Sequence, residues 1–540
     1  MKKYITFICF ALLFHSASAQ FDIQTIAEKT NYTSTSTYED VMQFICALES
    51  SPLIRIENFA TTIEGKKLPL LIIADPMPES SKDLIDDDRI VVYIQANIHA
   101  GEVEGKEAAQ MLARDILNNQ YPGMLKDMVL LICPILNADG NDKMDTTNRI
   151  NQNGPENGVG VRYNGQFLDL NRDAMKLETP EIKGVVDHIF NKWDPAITVD
   201  CHTTNGSYHE EPVTFTWMMN PNGDRSLINY MRDKMMPGVS ETLLNKYAVE
   251  NIFYGEFIDR LNIDKGWISY ASEPRYLVNY VGVRNRLAIL NENYVYADFK
   301  TRVNGSYHLL VSILEYAASH KKEIKNIIKE ADRKTVQRGL NPAVTDSFAI
   351  EYRGEPTPNP VTIKAFEADT IPGMKGYWRF KQSDRKRTVT VPYIADYYAA
   401  KSVKFPYAYL ITVPDPKVLD VLKTHGVQIE YLTQNTALEV EGFQFEDIQP
   451  SSRLFQGHYP NNIKGRAVKE TKTFNKGTVV IRTAQPLGGL IAYLLEPLSD
   501  DGLLKWNFFD SYLVSQWGGK YYPCPVYKVI HKTNVESVNK

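Results

Sequence analysis

Apolar runs alternate with segments of helical spacing from the N-terminal part of this chain up to about Asp332. The apolar runs predict buried strands over 90–98, 128–136, 196–201 and 287–290. Apolar residues at helical spacing predict helices over 104–117, 181–193 and 306–329. From about Tyr38 onward, this alternation favours an α/β sandwich, with helices on both faces of a mostly parallel sheet.

The pattern changes after Asp332. Residues 339–360 contain several prolines, and we interpret them as a loop. Short runs rich in Val, Thr, Tyr and Phe follow, and they predict strands at 387–391, 407–413 and 477–481. Residues 418–425 favour a helix, and 490–495 favour either a helix or a strand. We therefore predict a first domain over 20–335 and a β-rich accessory domain over 336–540, with no catalytic cluster evident in the second.

The N-terminal segment 1–19 has the features of an export signal. Two lysines precede the apolar run 4–14, and Ala17-Ser18-Ala19 forms a small-x-small cleavage site. No cysteine stands at the cleavage point, so we expect no lipid anchor there. No later run reaches the ~20 apolar residues that a membrane span needs. The sequence thus predicts a protein exported to the periplasm or secreted, without a membrane anchor.

Charge and cysteine content narrow the class of protein. The formal net charge is −5, and no basic stripe indicates a nucleic-acid partner. The four cysteines after the leader are far apart and form no Cys-x-x-Cys pair, which excludes a cysteine-based zinc site. Cys133 and Cys201 lie in apolar runs, where they are either small buried hydrophobes or a disulfide. Nothing in the sequence indicates an oligomeric state.

Candidate metal ligands follow two of the predicted strands. His99 and Glu102 come directly after the run 90–94, and His202 follows the run 197–201. An imidazole pair and a carboxylate match the donor set of an open catalytic zinc site. Each histidine alone is more often an ordinary polar residue at a strand end, so the hypothesis depends on the combination.

Two further segments carry candidate chemistry. In Asp169-Leu170-Asn171-Arg172, the arginine fork and the amide would suit a planar carboxylate. The alternative is a helix-start loop with Asp173 as cap and Arg172 in a surface ion pair. Glu292 ends the apolar run that begins at 287, where a carboxylate can act as a general base towards a zinc-bound water.

The order of these residues resembles that of the zinc carboxypeptidase family, typified by pancreatic carboxypeptidase A. The motifs are His99-x-x-Glu102, Asp169-x-Asn171-Arg172, His202 and Glu292. Residues 137–140, Asn-Ala-Asp-Gly, also resemble the family's Asn-Pro-Asp-Gly turn. The resemblance covers about 38–332 and implies an α/β/α sandwich around a mixed, mostly eight-stranded sheet, leaving the β-rich C-terminal domain outside it.

The resemblance also implies a role for each of these residues. His99, Glu102 and His202 would bind one Zn²⁺ per chain, and Asp169 would orient the first of them, His99. The substrate's terminal carboxylate would be held by Asn171 and Arg172. Glu292 would be the general base and proton shuttle.

Two family roles have more than one candidate in this chain. Arg149 is the first choice for the arginine that stabilises the oxyanion, and Arg162 is the alternative. Tyr280 is the first choice for the tyrosine that closes over substrate, with Tyr270 and Tyr276 as alternatives. Three nearby arginines are either further substrate contacts or loop ion pairs: Arg275, Arg284 and Arg286.

The resemblance implies a zinc-dependent metallocarboxypeptidase that acts on peptides. A zinc-dependent deacylase or amidase of N-acyl amino acids or cell-wall peptides would use the same site residues with a different pocket. A non-catalytic binding protein on the same scaffold is disfavoured, because the ligands and the base are all present.

Overall fold

The computed structural model describes residues 20–204, 206–270, 273–514 and 518–539. The predicted signal peptide, residues 1–19, lies outside the described residues. Within those ranges, none of the helices combines the length and the apolar character that a membrane crossing requires.

A mixed eight-stranded sheet forms the centre of the first half of the chain. The strands up to residue 293 are β1 Ile54–Thr61, β2 Lys67–Ile73, β3 Ile90–Ala96, β4 Met128–Cys133, β5 Ile197–Thr203, β6 Val213–Trp217, β7 Asn251–Phe253, β8 Glu256–Phe257, β9 Trp267–Ile268 and β10 Leu287–Asn293. All but β8 and β9 belong to this sheet, in the order β1-β2-β4-β3-β5-β10-β6-β7. Strands β4, β3, β5 and β10 run parallel to one another. Strand β1 pairs antiparallel with β2, β2 with β4, and β6 with β10. The predicted mixed eight-stranded sheet is confirmed.

Helices cover both faces of this sheet. In this part of the chain they are α1 Ile26–Lys29, α2 Tyr38–Leu48, α3 Glu104–Leu117, α4 Ala138–Asn141, α5 Pro180–Gly184, α6 Arg225–Tyr230, α7 Met236–Tyr247, α8 Leu277–Val283 and α9 Phe299–Leu340. Helix α3 packs on the face to which Ala96 points. Tyr93, three residues earlier in β3, points to the other face and meets Phe190 in a π-helical turn there.

Helix α3 lies very close to the sheet. It begins and ends at the residues that the apolar spacing predicts, and nearly all of its side chains are buried. A Cβ built at Gly105 would lie 2.4 Å from the Cβ of Cys201. Glycine is therefore required at the point where α3 crosses β5, directly beside the residues that follow β3.

After α9 the chain is mostly β structure. Its strands are β11 Ser347–Pro356, β12 Val361–Thr370, β13 Phe380–Val391, β14 Tyr393–Lys404, β15 Ala408–Ile411, β16 Glu430–Leu432, β17 Thr436–Pro450, β18 Asn461–Phe474, β19 Val479–Arg482, β20 Val526–Val529 and β21 Ser537–Asn539. Two helices accompany them, α10 Pro416–Thr424 and α11 Gly488–Leu495. Seven of these strands, from β15 to β21, form one sheet.

The prediction of a loop over 339–360 is wrong in part, because β11 occupies Ser347–Pro356. The prolines of this segment stand at or beyond the ends of β11. The strand pairs antiparallel with β14, which comes later in the chain, after β12 and β13. Local composition does not reveal such a long-range partner. The predicted division between residues 335 and 336 stays a prediction; helix α9 runs across it.

The described cysteines are unpaired. Cys133 ends β4 and Cys201 lies in β5, and β3 separates these two strands in the sheet. Burial raises the pKa of the Cys133 thiol to about 12. Both residues therefore act as small buried hydrophobes in this fold.

The close packing of α3 gives a test of this arrangement. Replacing glycine by alanine inside a helix normally stabilises by about 0.5–1 kcal/mol. At Gly105 we expect the opposite sign, a loss of about 1–3 kcal/mol, because the new methyl group overlaps Cys201. Urea unfolding of Gly105→Ala measures this, and an unchanged or higher midpoint would contradict the described approach of α3 to β5.

Candidate metal centre and substrate cleft

The candidate site lies where three neighbouring parallel strands end. Strands β3, β5 and β10 are adjacent in the sheet, and their carboxyl ends meet at one edge. His99 and Glu102 follow β3, whereas His202 lies near the end of β5. Glu292 of β10 stands beside His202 in the register of the two strands. Open α/β sheets commonly bind ligands at this edge.

Three side chains converge in a cluster that could hold a metal ion: His99, Glu102 and His202. The Nδ1 atoms of the two imidazoles are 3.1 Å apart. Glu102 Oε2 lies 3.1 Å from His99 Nδ1 and 2.9 Å from His202 Nδ1. All three residues are buried.

The outer nitrogen of each imidazole faces a carboxylate. His99 Nε2 lies 3.0 Å from Asp169 Oδ1, and His202 Nε2 lies 2.9 Å from Asp200 Oδ2. A carboxylate only accepts hydrogen bonds, so each Nε2 carries a proton, and in the neutral imidazole each Nδ1 turns a lone pair inward. Two lone pairs and a carboxylate oxygen then face one another, an arrangement that needs a cation at its centre. The donor set therefore fits Zn²⁺.

Asp200 is the residue of this set that the sequence reasoning missed. It stands two positions before His202 on β5, and residues two apart on a strand point to the same face. That spacing was the available signal. Asp200 also accepts a hydrogen bond from Gln95 of β3, which fixes its carboxylate.

The pKa values reflect this concentration of charge. Burial acts to raise the pKa of Glu102, but the positive charges of His99 and Arg149 keep it well below its usual range. Burial acts to lower the pKa of His202, yet Asp200 and Glu102 raise it well above the ordinary value. The cluster thus attracts positive charge.

A cleft of about 440 Å³ opens above the cluster. The residues lining it are His99, Glu102, Arg162, Asn171, Arg172, His202, Thr203, Thr204, Thr216, Trp217, Tyr254, Ser269, Tyr270, Glu273, Tyr276, Val278, Asn279, Leu290 and Glu292. Every one of them lies between His99 and Glu292. The cleft is a concave and mainly polar site, in which several charged side chains converge and Trp217, Val278 and Leu290 supply apolar surface.

Asn171 and Arg172 both line the cleft, on the short turn Leu170–Arg172. The Arg172 guanidinium stacks 3.9 Å from the ring centre of Tyr276, which fixes its plane. Asn171 Oδ1 accepts the backbone N–H of Leu277, so its amide is also held. The alternative placement of Arg172 in a surface ion pair does not match this position.

The two candidate oxyanion arginines occupy different places. Arg149 does not line the cleft; it donates to Glu102 Oε1, to the carbonyl of Thr203 and to Gln152. Arg162 lines the cleft and is held through Asp169 at 2.9 Å. Arg162, rather than the first choice Arg149, therefore has its side chain at the cleft.

The expectation that Tyr280 closes over substrate needs correction. Tyr280 lies inside α8, is fully buried and does not line the cleft. Its hydroxyl contacts His425 Nδ1 at 2.7 Å and accepts a hydrogen bond from Arg284. Tyr276, one helical turn earlier, and Tyr270 do line the cleft. The chain order alone did not tell which turn of the segment faces the opening.

The three nearby arginines form protein contacts. Arg275 pairs with Asp501, and Arg286 pairs with Asp194 and Asp332. Arg284 donates to the carbonyl of His425. The ion-pair interpretation therefore describes Arg275 and Arg286, whereas Arg284 is held by neutral acceptors.

Glu292 lines the cleft and is partly buried. Burial raises the pKa of its carboxyl group, and the negative charge of Glu102 raises it further. The positive charges of His202, Arg149 and Arg162 oppose this rise. A carboxylate in such surroundings is suited to accept and return a proton.

Comparison with known proteins gave one family match. The family model for zinc carboxypeptidase matches residues 41–220. No curated protein matches the chain. The matched segment contains the cluster His99, Glu102 and His202 and the turn with Asn171 and Arg172, whereas Glu292 lies beyond it.

The chain is also similar to solved structures. A metallo-carboxypeptidase from Burkholderia cenocepacia is 18% identical, with 53% of this chain and 70% of that chain covered and a TM-score of 0.40. A Pseudomonas aeruginosa metallo-carboxypeptidase in complex with (2-guanidinoethylmercapto)succinic acid is 15% identical, with 54% and 70% covered and a TM-score of 0.39. Carboxypeptidase A from Helicoverpa armigera is 15% identical, with 54% and 75% covered and a TM-score of 0.38.

The family match coincides with the segment that supplies the metal cluster and the Asn171–Arg172 turn. Residues 41–220 are therefore similar to the zinc carboxypeptidase family, a family of zinc metallopeptidases.

Proposed function

We propose that this protein is a zinc-dependent carboxypeptidase that removes residues from the C-terminal ends of peptides. The observation that carries the proposal is one cleft that holds both the three-donor cluster and the Asn171–Arg172 turn. The cluster suits hydrolysis, and the turn suits a terminal carboxylate. Together they favour cleavage next to a chain end.

The cluster would hold one Zn²⁺ per chain through His99, Glu102 and His202. When bound, zinc supplies a Lewis acid and lowers the pKa of the water that it coordinates to about 7. Asp169 and Asp200 orient the two imidazoles, one carboxylate for each ring. Partners of this kind set both ligand geometry and metal affinity.

Glu292 is the general base in this proposal. It would take a proton from the attacking water and pass it to the leaving amine. Its position on β10, beside His202 in the register, supports the role. Its raised pKa supports it too, because a carboxyl group with a higher proton affinity is a better base.

Arg162 is our assignment for the oxyanion role, in place of Arg149. A guanidinium that faces the cleft can donate to the charge that develops on the scissile carbonyl oxygen. Arg149 instead uses its donors to hold Glu102 and the end of β5.

Asn171 and Arg172 would bind the substrate's terminal carboxylate. The planar fork of Arg172 can donate two parallel hydrogen bonds, and the Asn171 amide can add a third. Tyr276 keeps the guanidinium in plane and takes the place at the cleft that Tyr280 was expected to fill.

We further propose that the protein is exported. The support is the lysine pair, the apolar run 4–14 and the Ala17-Ser18-Ala19 site. Peptide substrates would then come from the periplasm or the surroundings of the cell.

The general-base assignment is tested by Glu292→Gln, which keeps the shape of the side chain and removes its basicity. We expect unchanged zinc content and a fall in kcat of about 10²–10⁴-fold. Glu241→Gln, at an exposed position on α7, is the matched control and should behave as wild type. Wild-type turnover by Glu292→Gln would show that another group accepts the proton.

The role of Asp200 is tested by Asp200→Asn, which removes the charge that faces His202. We expect zinc affinity to fall by about 10–100-fold, since the imidazole loses its oriented acceptor. Competition with a chromogenic chelator measures this without any substrate. Asp187→Asn, at an exposed position, is the control, and equal zinc affinity in all three proteins would rule out the role.

The choice of substrate is tested with a peptide library, N-acyl amino acids and C-terminally amidated peptides, read by mass spectrometry with and without a chelator. We expect chelator-sensitive loss of single C-terminal residues from peptides with a free carboxylate. Arg172→Ala should lower kcat/KM for them about 10–100-fold, because charge-assisted hydrogen bonds are lost. Cleavage confined to N-acyl amino acids would favour the deacylase instead.

A further inference from the structure

A tight turn from the C-terminal part of the chain reaches the back of the carboxylate-binding segment. Phe455 and His458 pair across this turn through two backbone hydrogen bonds, of 2.8 and 3.1 Å. We call it the 455–458 turn. It lies between β17 and β18, far along the chain from the segment it contacts.

The central contact is a hydrogen bond from backbone to side chain. The backbone N–H of Asp169 donates to Gln456 Oε1 at 2.9 Å. Gln456 has a φ of +52°, in the left-handed region that a residue other than glycine rarely adopts. The 455–458 turn therefore holds its glutamine in a conformation that places the side-chain oxygen on Asp169.

Asp169 is the residue on which the neighbouring site groups depend. Its carboxylate meets His99 Nε2, accepts the backbone N–H of Asn171 and pairs with Arg162. The same residue begins the turn that carries Asn171 and Arg172. Fixing the backbone at Asp169 thus fixes the position of the proposed carboxylate-binding pair.

The 455–458 turn has two further anchors, one in the first half of the chain and one in the C-terminal part. His458 Nε2 contacts Glu178 at 2.9 Å, a few residues beyond Arg172. Phe455 stacks on Trp506, with ring centroids 6.0 Å apart.

Trp506 in turn contacts two residues that lie close in sequence to Arg172 and Tyr276. The Lys176 ammonium lies 4.5 Å from its ring centre, and the Arg275 guanidinium lies 5.2 Å from it. Asp501, which binds the Trp506 indole N–H, also pairs with Arg275. The C-terminal part therefore braces the segment with Arg172 and the one with Tyr276 together.

The bracing acts from outside the cleft. No residue after Glu292 is among those that line it in the part of the chain that the structure describes. The 455–458 turn therefore influences substrate through Asp169 rather than by contact.

We propose that Gln456 is a positioning residue for substrate binding, and that the C-terminal part of the chain is a working part of the carboxylate-binding site. The inference rests on the proposed carboxypeptidase function. By this mechanism, the Gln456 acceptor sets KM for the terminal carboxylate, while the cluster and Glu292 set the chemical step.

The test is Gln456→Gly, because the left-handed backbone at this position suits glycine and the fold should be kept. We expect KM for a peptide with a free terminal carboxylate to rise about tenfold, since one hydrogen bond that positions the site is lost. The kcat value should stay within about twofold, with zinc content unchanged, because the Asp169 carboxylate keeps its own contacts with His99 and Arg162.

Two companion variants separate positioning from general damage. Gln456→Glu retains an acceptor oxygen and should keep KM close to wild type. Leu454→Ala changes a neighbouring side chain that is 62% exposed and should leave both constants unchanged.

Hydrogen exchange gives a readout that does not need activity. Peptides covering residues 164–178 should exchange faster in Gln456→Gly than in wild type, because the Asp169 amide has lost its acceptor. Wild-type KM or wild-type exchange in Gln456→Gly would overturn the inference. If the wild type cleaves no peptide with a free carboxylate, the proposed function fails, and the exchange data still decide whether Gln456 anchors this segment.

Discussion

The site depends on the parallel alignment of three neighbouring strands, β3, β5 and β10. Because they run in one direction, their carboxyl ends reach the same edge of the sheet, and the residues that follow them meet there. His99, His202 and Glu292 come from these three ends. Helix α3 packs tightly against these strands: it begins directly after Val103 and crosses β5 at a glycine. The packing of α3 on the sheet therefore also fixes the position of His99 and Glu102, which lie between β3 and α3.

Charge balance is the second constraint at this edge. Buried carboxylates are costly unless each meets a cation or several donors. Glu102 meets Arg149, and Asp169 meets Arg162. The inward Nδ1 atoms of the two histidines both face Glu102. A metal ion between these three donors would complete the charge balance. The arginines therefore stabilise the carboxylates, and the carboxylates orient the two imidazoles of the candidate metal site.

The C-terminal part of the chain packs against the active-site segments at several points. Strand β14 pairs with β9, which directly precedes the cleft residue Ser269. Tyr280 and Arg284 meet His425 of this part, so the tyrosine expected at the substrate instead links the two halves of the chain. Together with the hydrogen bond from Asp169 to Gln456, these contacts place parts of the C-terminal β structure behind the segments that carry the cleft residues.

The sequence by itself determined the local elements and the chemical types. Periodicity predicted α3 with both of its bounds, and residue order identified His99, Glu102 and His202 as a donor set, because strand ends and ligand types are local properties. Tertiary structure decided what depends on direction and distance. It placed Arg162 rather than Arg149 at the cleft and buried Tyr280 away from it. It also paired strands that are distant in the sequence, such as β11 and β14. The physical reason is that spacing along a chain reveals which residues share an element, whereas the face that meets the cleft is set by long-range packing.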